Sequence, residues 1–291
     1  MELTELKAWV GRHERREDVV GATPVAALAA TLDRDDPAPR AGTELPPLWH
    51  WLCFTPLTPA RDLGPDGHAR RGGFLPPVPL PRRMWAGGRL VFLQPLRVGD
   101  GVARDSRIAS VDVKQGRSGA LVFVTVRHEL SGPQGLALTE EHDIVYRQAP
   151  APSAPPSAPP APEPAPAAEF TRVVVPDPVL LFRYSALTFN GHRIHYDRAY
   201  ATDVEGYPGL VVHGPLIATL LLDALRRAHP AARVRRFDYR AVRPLFDTQA
   251  FSVNGRLEAS ADGARRARLW ALDPEGALAM QAEAEVEDRP A

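Results

Sequence analysis

Residues 182–216 read FRYSALTFNGHRIHYDRAYATDVEGYPGLVVHGPL, and the rest of the chain is organised around this stretch. Asn190, His192, Arg193, His195, Tyr196 and Asp197 fall within eight positions. Gly and Pro punctuation follows, and a long apolar run then opens at His213-Gly214-Pro215. Polar and titratable groups at that density make a poor core. Set before the free N–H groups of a helix start, they suit a reaction centre. The competing reading is a solvated loop, the usual fate of His and Arg clusters.

Immediately downstream, residues 214–228 (GPLIATLLLDALRRA) place Leu216, Ile217, Leu220, Leu221, Ala224, Leu225 and Ala228 on one broad stripe. A helix that apolar is wrapped on most sides, and a strongly bent antiparallel sheet would wrap it. Strand signals follow at 236–245, 248–259, 265–272 and 277–287, separated by ADG and DPEG turns. In the last of these, Leu278, Met280, Ala282, Ala284 and Val286 alternate with Gln281, Glu283 and Glu285.

The same series occurs earlier, at 89–96, 102–114, 119–130 and 136–147. Pro95 and Pro244 hold matching places, and an aliphatic residue, Ile108 or Leu257, lies thirteen positions beyond each. The segments before the two series also correspond. Pro178–Thr188 leads into the polar cluster as Pro24–Leu32 leads into Asp33-Arg34-Asp35-Asp36, with Thr23-Pro24 as a helix start. The pattern is an internal duplication of one α+β unit, whose sheets could pair edge to edge.

Between the copies, residues 149–168 (APAPSAPPSAPPAPEPAPAA) hold nine prolines and eight alanines, the composition of a polyproline linker. The expected organisation is 1–148, a linker 149–168, and 169–291. The first copy has nothing at the place of His195. It instead carries an irregular stretch, 56–88, ending GGFLPPVPLPRRMWAGG, long enough to cover a binding site.

Composition narrows the function. The chain has 291 residues and 35 basic against 35 acidic side chains, which speaks against a nucleic-acid or anionic-membrane partner. Cys53 is the single cysteine, so there is neither an intrachain disulfide nor a cysteine metal site. No apolar run has the length of a membrane span, and the expected location is the cytoplasm.

The run YSALTFNGHRIHYD, the GLVVHGPL helix start and the two-unit layout resemble the MaoC-like hydratases and dehydratases of the hotdog fold. Within that family they are most similar to the hydroxyacyl-thioester dehydratases and mesaconyl-C4-CoA hydratases. The resemblance implies an α+β double hotdog, two bent antiparallel sheets each around a central helix. It implies reversible hydration of an enoyl thioester carried by CoA or by a carrier protein, with no cofactor or metal, in a homodimer of double-hotdog chains. The family signature, Asp-x-Asn-Pro-x-His, falls on residues 190–195, so Asn190 stands where the family has an acid.

The implied catalytic set is His195 as general base, Asn190 holding the water, and the Gly214 amide stabilising the enolate oxygen. Gly214 would leave the approach of the thioester open. Arg183, Arg193, Arg82 and Arg83 are candidates for a substrate carboxylate or the CoA phosphates, and His192, Tyr196, His213 and Trp85 for the remaining substrate contacts. Several residues admit a plainer role. His213 would then be a helix cap, Tyr184 and Tyr196 packing residues, and Asp197 the start of the next turn. Two further readings are a metal site on His192 and His195 with Asp197 or His213, and a non-catalytic thioester-binding module.

Overall fold

The structure is a computed structural model that describes residues 3–116, 119–148, 167–259 and 265–288. Its ten strands form one antiparallel sheet. They are β1 His13–Val19, β2 Arg82–Phe92, β3 Gly101–Gly116, β4 Gly119–Gly132 and β5 Gly135–Arg147 in the first half. The second half has β6 Phe170–Val174, β7 Ala232–Ala241, β8 Phe251–Ala259, β9 Arg265–Leu272 and β10 Leu278–Asp288. The order across the sheet is β1-β3-β4-β5-β2-β7-β10-β9-β8-β6. Read outward from the middle, the two halves have the same order, as a duplicated unit requires. Of the Pro/Ala stretch 149–168, residues 149–166 lie outside the described residues.

The halves join where β2 pairs with β7, Gly87 opposite Arg240 and Val91 opposite Arg236. Gly87 and Gly88 make this join possible. A Cβ on Gly87 would come within 2.5 Å of the Tyr239 carbonyl oxygen, and one on Gly88 within 2.2 Å of the Tyr239 hydroxyl. The glycine pair of MWAGG is therefore an inter-half contact. β2 begins at Arg82, so the irregular stretch is shorter than the 56–88 expected from sequence.

Three helices accompany the sheet: α1 Ala22–Thr31, α2 Pro178–Thr188 and α3 Gly214–Ala228. α3 spans the residues read from the sequence, and Leu216 to Leu225 are buried without a break. It packs against β6–β10, and truncating one of its buried leucines to alanine would cost about 2–5 kcal/mol. Asp177 caps α2 by accepting from the Leu180 amide at 2.7 Å. α1 differs from its expected start: it begins at Ala22 behind Gly21, without a side-chain cap, so Thr23 is already inside it.

One charge is embedded in α3. Asp223 is 4 % exposed. It accepts from Arg34 at 2.7 Å, Arg172 at 2.9 Å and Arg227 at 2.8 Å. Arg34 comes from the first half and also binds Asp36. A buried carboxylate is tolerable only with such partners, and here they tie the α1 corner to the central helix.

The first half has the same sheet but no counterpart of α3 among the described residues. Between β1 and β2 lie only α1, the 3-10 turns Trp49–Leu52 and Ala60–Asp62, and irregular chain. Phe74, Leu75, Val78 and Leu80 cover part of its concave face, against Ile108, Val122, Val124 and Tyr146. The remainder of that face is open to a cavity.

Candidate active site

α2 ends abruptly in the polar cluster. Phe189 takes the left-handed conformation (φ 51°), and the Asn190 amide turns back to the Ser185 carbonyl at 2.8 Å. Asn190 Oδ1 then accepts from the His192 amide at 3.0 Å, closing an Asx turn. A 3-10 turn, Arg193–His195, delivers the last histidine to the interior.

His195 is 8 % exposed, and its Nδ1 lies 2.7 Å from the Val211 carbonyl. A carbonyl can only accept, so Nδ1 carries the hydrogen and Nε2 is left with its lone pair. Burial pushes the His195 pKa down to about 4, which keeps the ring neutral at ordinary pH. The ring stacks on His213 at 3.7 Å between centroids.

His213 occupies the N-cap position of α3 but makes no side-chain cap. Its Nε2 is 2.8 Å from Ser185 Oγ, and the ring is fully buried against Tyr184. These contacts tie α2 to the start of α3 beside His195.

In front of this group is a cavity of about 890 Å³. Tyr184, Ser185, Asn190, Tyr196 and Pro215 line it from the second half. His68, Arg83, Trp85, Glu140 and His142 line it from the first. His192, His195, His213 and Gly214 adjoin these residues in sequence or by contact but are not themselves among the lining residues.

The other proposed site residues divide. Arg83 and Trp85 reach the cavity, whereas Arg183 is exposed on α2 and lies outside the lining. Arg82 is held by Glu205, with Nε 3.3 Å from Oε2, and lies over the Tyr207 ring. Arg193 is held by Asp197 at 2.7 Å and by the Pro65 carbonyl at 3.1 Å. These two guanidiniums brace the loop. Asp197 accordingly serves Arg193 and the Tyr200 amide, and starts the next turn. Tyr196 donates its hydroxyl to the Gly191 carbonyl at 2.9 Å.

Gly214 has an aromatic neighbour from the first half. A Cβ there would meet Trp85 Cε3 at 2.5 Å, so the missing side chain makes room for the indole. Trp85 in turn packs at a tilt against Tyr239, with ring centroids 4.6 Å apart.

Residues 48–247 match the model of hydroxyacyl-thioester dehydratase type 2. The chain belongs to this family. It is a hydro-lyase of the MaoC-like type, acting as an enoyl- or hydroxyacyl-thioester hydratase/dehydratase. It is 49 % identical, over 98 % of its length and 99 % of the relative, to mesaconyl-C(4)-CoA hydratase of Chloroflexus aurantiacus. Identity is 28 % to the mitochondrial hydroxyacyl-thioester dehydratase type 2 of Schizosaccharomyces pombe, over 81 % of this chain and 88 % of that one.

The fold agrees. A MaoC-like dehydratase superposes with a TM-score of 0.70 at 16 % identity, covering 98 % of this chain and 100 % of its own. A double-hotdog protein of Mycobacterium tuberculosis does so at 0.61 and 15 %, covering 99 % and 98 %.

Several polar residues around this dehydratase cavity escaped the sequence reading. Glu140 is buried and accepts from Trp51 Nε1 at 3.1 Å, with His50 Nε2 at 3.2 Å. Against the cost of burial, His50 holds its pKa down at about 2. His128 and His142 lie near it, and burial lowers both imidazole pKa values. A signal was present. Glu140 and His142 sit on the same strand face as Leu138 and Ile144, where alternation calls for apolar side chains.

Asp66 and His68 also went unnoticed. With His192 they are the one metal-sized group among the described residues, their ligand atoms within 4.8 Å of one another. The set considered from sequence, His192 and His195 with Asp197 or His213, is not among such groups; Arg193 holds Asp197 and Ser185 lies against His213 Nε2.

Proposed function

We propose that the protein adds water reversibly across the C2–C3 double bond of a short dicarboxylic enoyl-CoA, mesaconyl-C4-CoA being the substrate of first choice. His195 is the general base. The observation that carries this is its hydrogen bond to Val211: with Nδ1 spent on a carbonyl, Nε2 is a lone pair on a neutral ring. Asn190 offers its amide N–H to the water oxygen, its Oδ1 being engaged by His192.

As the O–C3 bond forms, negative charge moves to the thioester oxygen. The first-turn amides of α3, at Gly214 and Leu216, have no intrahelical partner, and the positive end of the helix favours that charge. Arg83 is the predicted arginine that reaches the cavity, and it suits the far carboxylate.

The substrate reading is supported by 49 % identity extending over nearly the whole length of both chains. Steady-state hydration of mesaconyl-C4-CoA, crotonyl-CoA and long 2-enoyl thioesters of CoA and carrier protein tests it. Mesaconyl-C4-CoA should give the highest kcat/KM. A preference for long or carrier-protein-linked chains would contradict the substrate assignment and favour a dehydratase of fatty-acid synthesis.

We infer further that two chains pair in the cytoplasm. The single, buried Cys53 suits a reducing compartment. On edge strand β6, in the segment after it and at the start of α2, Val173, Val175 and Val179 are each more than half exposed, as an interface would be before pairing. Sedimentation of a monomer at micromolar concentration would contradict the dimer.

A further inference from the structure

The attacking water has two hydrogens, and the scheme above places only one. His195 takes the first. Asn190 Oδ1 already accepts from the His192 amide, and an amide oxygen is a weaker acceptor than the carboxylate that the family signature has at this position, so the second hydrogen lacks the strong acceptor a carboxylate would give.

The irregular stretch of the first half brings an acceptor to this place. Asp66 Oδ2 lies 3.1 Å from His68 Nδ1, and Asp66 Oδ1 accepts from the His68 amide at 3.1 Å. Burial and the partners around it leave His68 below its ordinary pKa despite Asp66. In the neutral ring Nδ1 carries the hydrogen toward the carboxylate and Nε2 is the lone pair, the tautomer seen at His195.

His68 lines the cavity beside Asn190, Gly191 and Tyr196. Its ring is 4.1 Å from His192, which is 5.4 Å from His195. The loop is locked in place. The Arg193 amide donates to the Asp66 carbonyl at 2.9 Å. Gly67 has φ +87°, and a Cβ there would lie 1.9 Å from the Gly191 carbonyl oxygen.

We propose that His68 Nε2, with its tautomer set by Asp66, accepts the second hydrogen of the attacking water and then holds the product hydroxyl. The assignment rests on the hydratase reading. The water oxygen bonds to C3 while the π pair moves to the thioester as an enolate. One hydrogen passes to His195 Nε2 and from there to C2 as the enolate collapses. The other stays on oxygen, pointing at His68. No proton remains on either ring, and one water has been added. The second half thus supplies the base, and the first half supplies an acceptor in place of the carboxylate that Asn190 lacks.

The test compares His68→Leu, His68→Gln and Asp66→Asn in the full-length protein. His68→Leu should lower kcat about 100-fold with KM within about threefold of wild type, since the lost contact matters at the reacting water. His68→Gln keeps an acceptor in Oε1 and should retain about tenfold more activity than His68→Leu. Asp66→Asn presents an N–H to Nδ1, which turns Nε2 into a donor. It should cost about as much as His68→Leu, and the double variant no more than either.

Equal losses in His68→Leu and His68→Gln, together with a lowered Tm, would mean that His68 only packs the loop. Near-normal turnover in His68→Leu would overturn the assignment outright. So would activity lost to EDTA and restored by Zn²⁺, which would make Asp66, His68 and His192 metal ligands. A wild type inert on every thioester would instead overturn the hydratase reading, and this assignment with it.

Discussion

The two halves share a strand order but spend their concave faces differently. In the second, Phe251, Val253, Leu269, Ala271 and Met280 close on α3 in one apolar core. In the first, no long helix among the described residues fills the matching space, and Arg104, His128, Glu140 and His142 look into a cavity from strands that also carry Val126 and Ile144. A duplicated unit has divided its work. One copy keeps the helix, whose N-terminus organises the histidines. The other gives up the helix, gains room for a ligand, and lends the site a loop.

The largest effect should follow from removing the base. His195→Ala should lower kcat by a factor of about 100 or more, while the far-UV circular dichroism and Tm stay near wild type. Near-normal turnover would return catalysis to some other group and dissolve the division between the halves.

The second prediction concerns how the halves are held. Asp223→Asn should destabilise the protein by about 2–4 kcal/mol, because Arg34 and Arg172 lose a buried counter-charge while keeping some solvent. Urea unfolding reads this directly. A change within about 0.5 kcal/mol, the range of an ordinary surface substitution, would show that the α1 corner is only resting on α3.

A smaller effect belongs to the first half. Glu140→Gln should raise KM severalfold and leave kcat within about twofold, because the residue shapes the cavity wall and stands apart from His195. An equal fall in kcat and kcat/KM would instead put Glu140 at the reacting atoms.

Much of this was legible in the sequence, for local reasons. α3 could be read to the residue because its apolar stripe, Gly-Pro start and basic last turn agree with one another. The eight long strands were read from alternation and turn residues, with β2 and β7 placed several residues too late. β1 (HERREDV) and β6 (FTRVV) were not. Both lie at the outer edges of the sheet: the run of charges in β1 erases its apolar alternation, and β6 is only five residues long.

The site was half legible. Asn190, His192, His195 and His213 lie close in sequence, and local turns gather them. Asp66–His68 reaches them across more than a hundred residues, through a loop docked by backbone contacts that no periodicity reports. Gly214 was noticed for the right reason, the absence of a side chain, but its neighbour is Trp85 from the other half.

The pairing of Asn190 with His195 is the centre of the account, and the smallest substitution tests it most directly. Asn190→Asp is nearly isosteric and puts a carboxylate on the loop that carries His195. His195 must be neutral to act, and burial holds its pKa at about 4, so activity should fall as pH drops through that region. A neighbouring negative charge favours the protonated ring and raises its pKa, so the acid limb should move upward by about one pH unit. The measurement is kcat/KM against pH for wild type and Asn190→Asp on one thioester, between pH 3.5 and 9 as far as each stays folded. An upward shift of the acid limb with the fold retained is the predicted result. Superimposable profiles would mean that residue 190 does not face His195 in the working site.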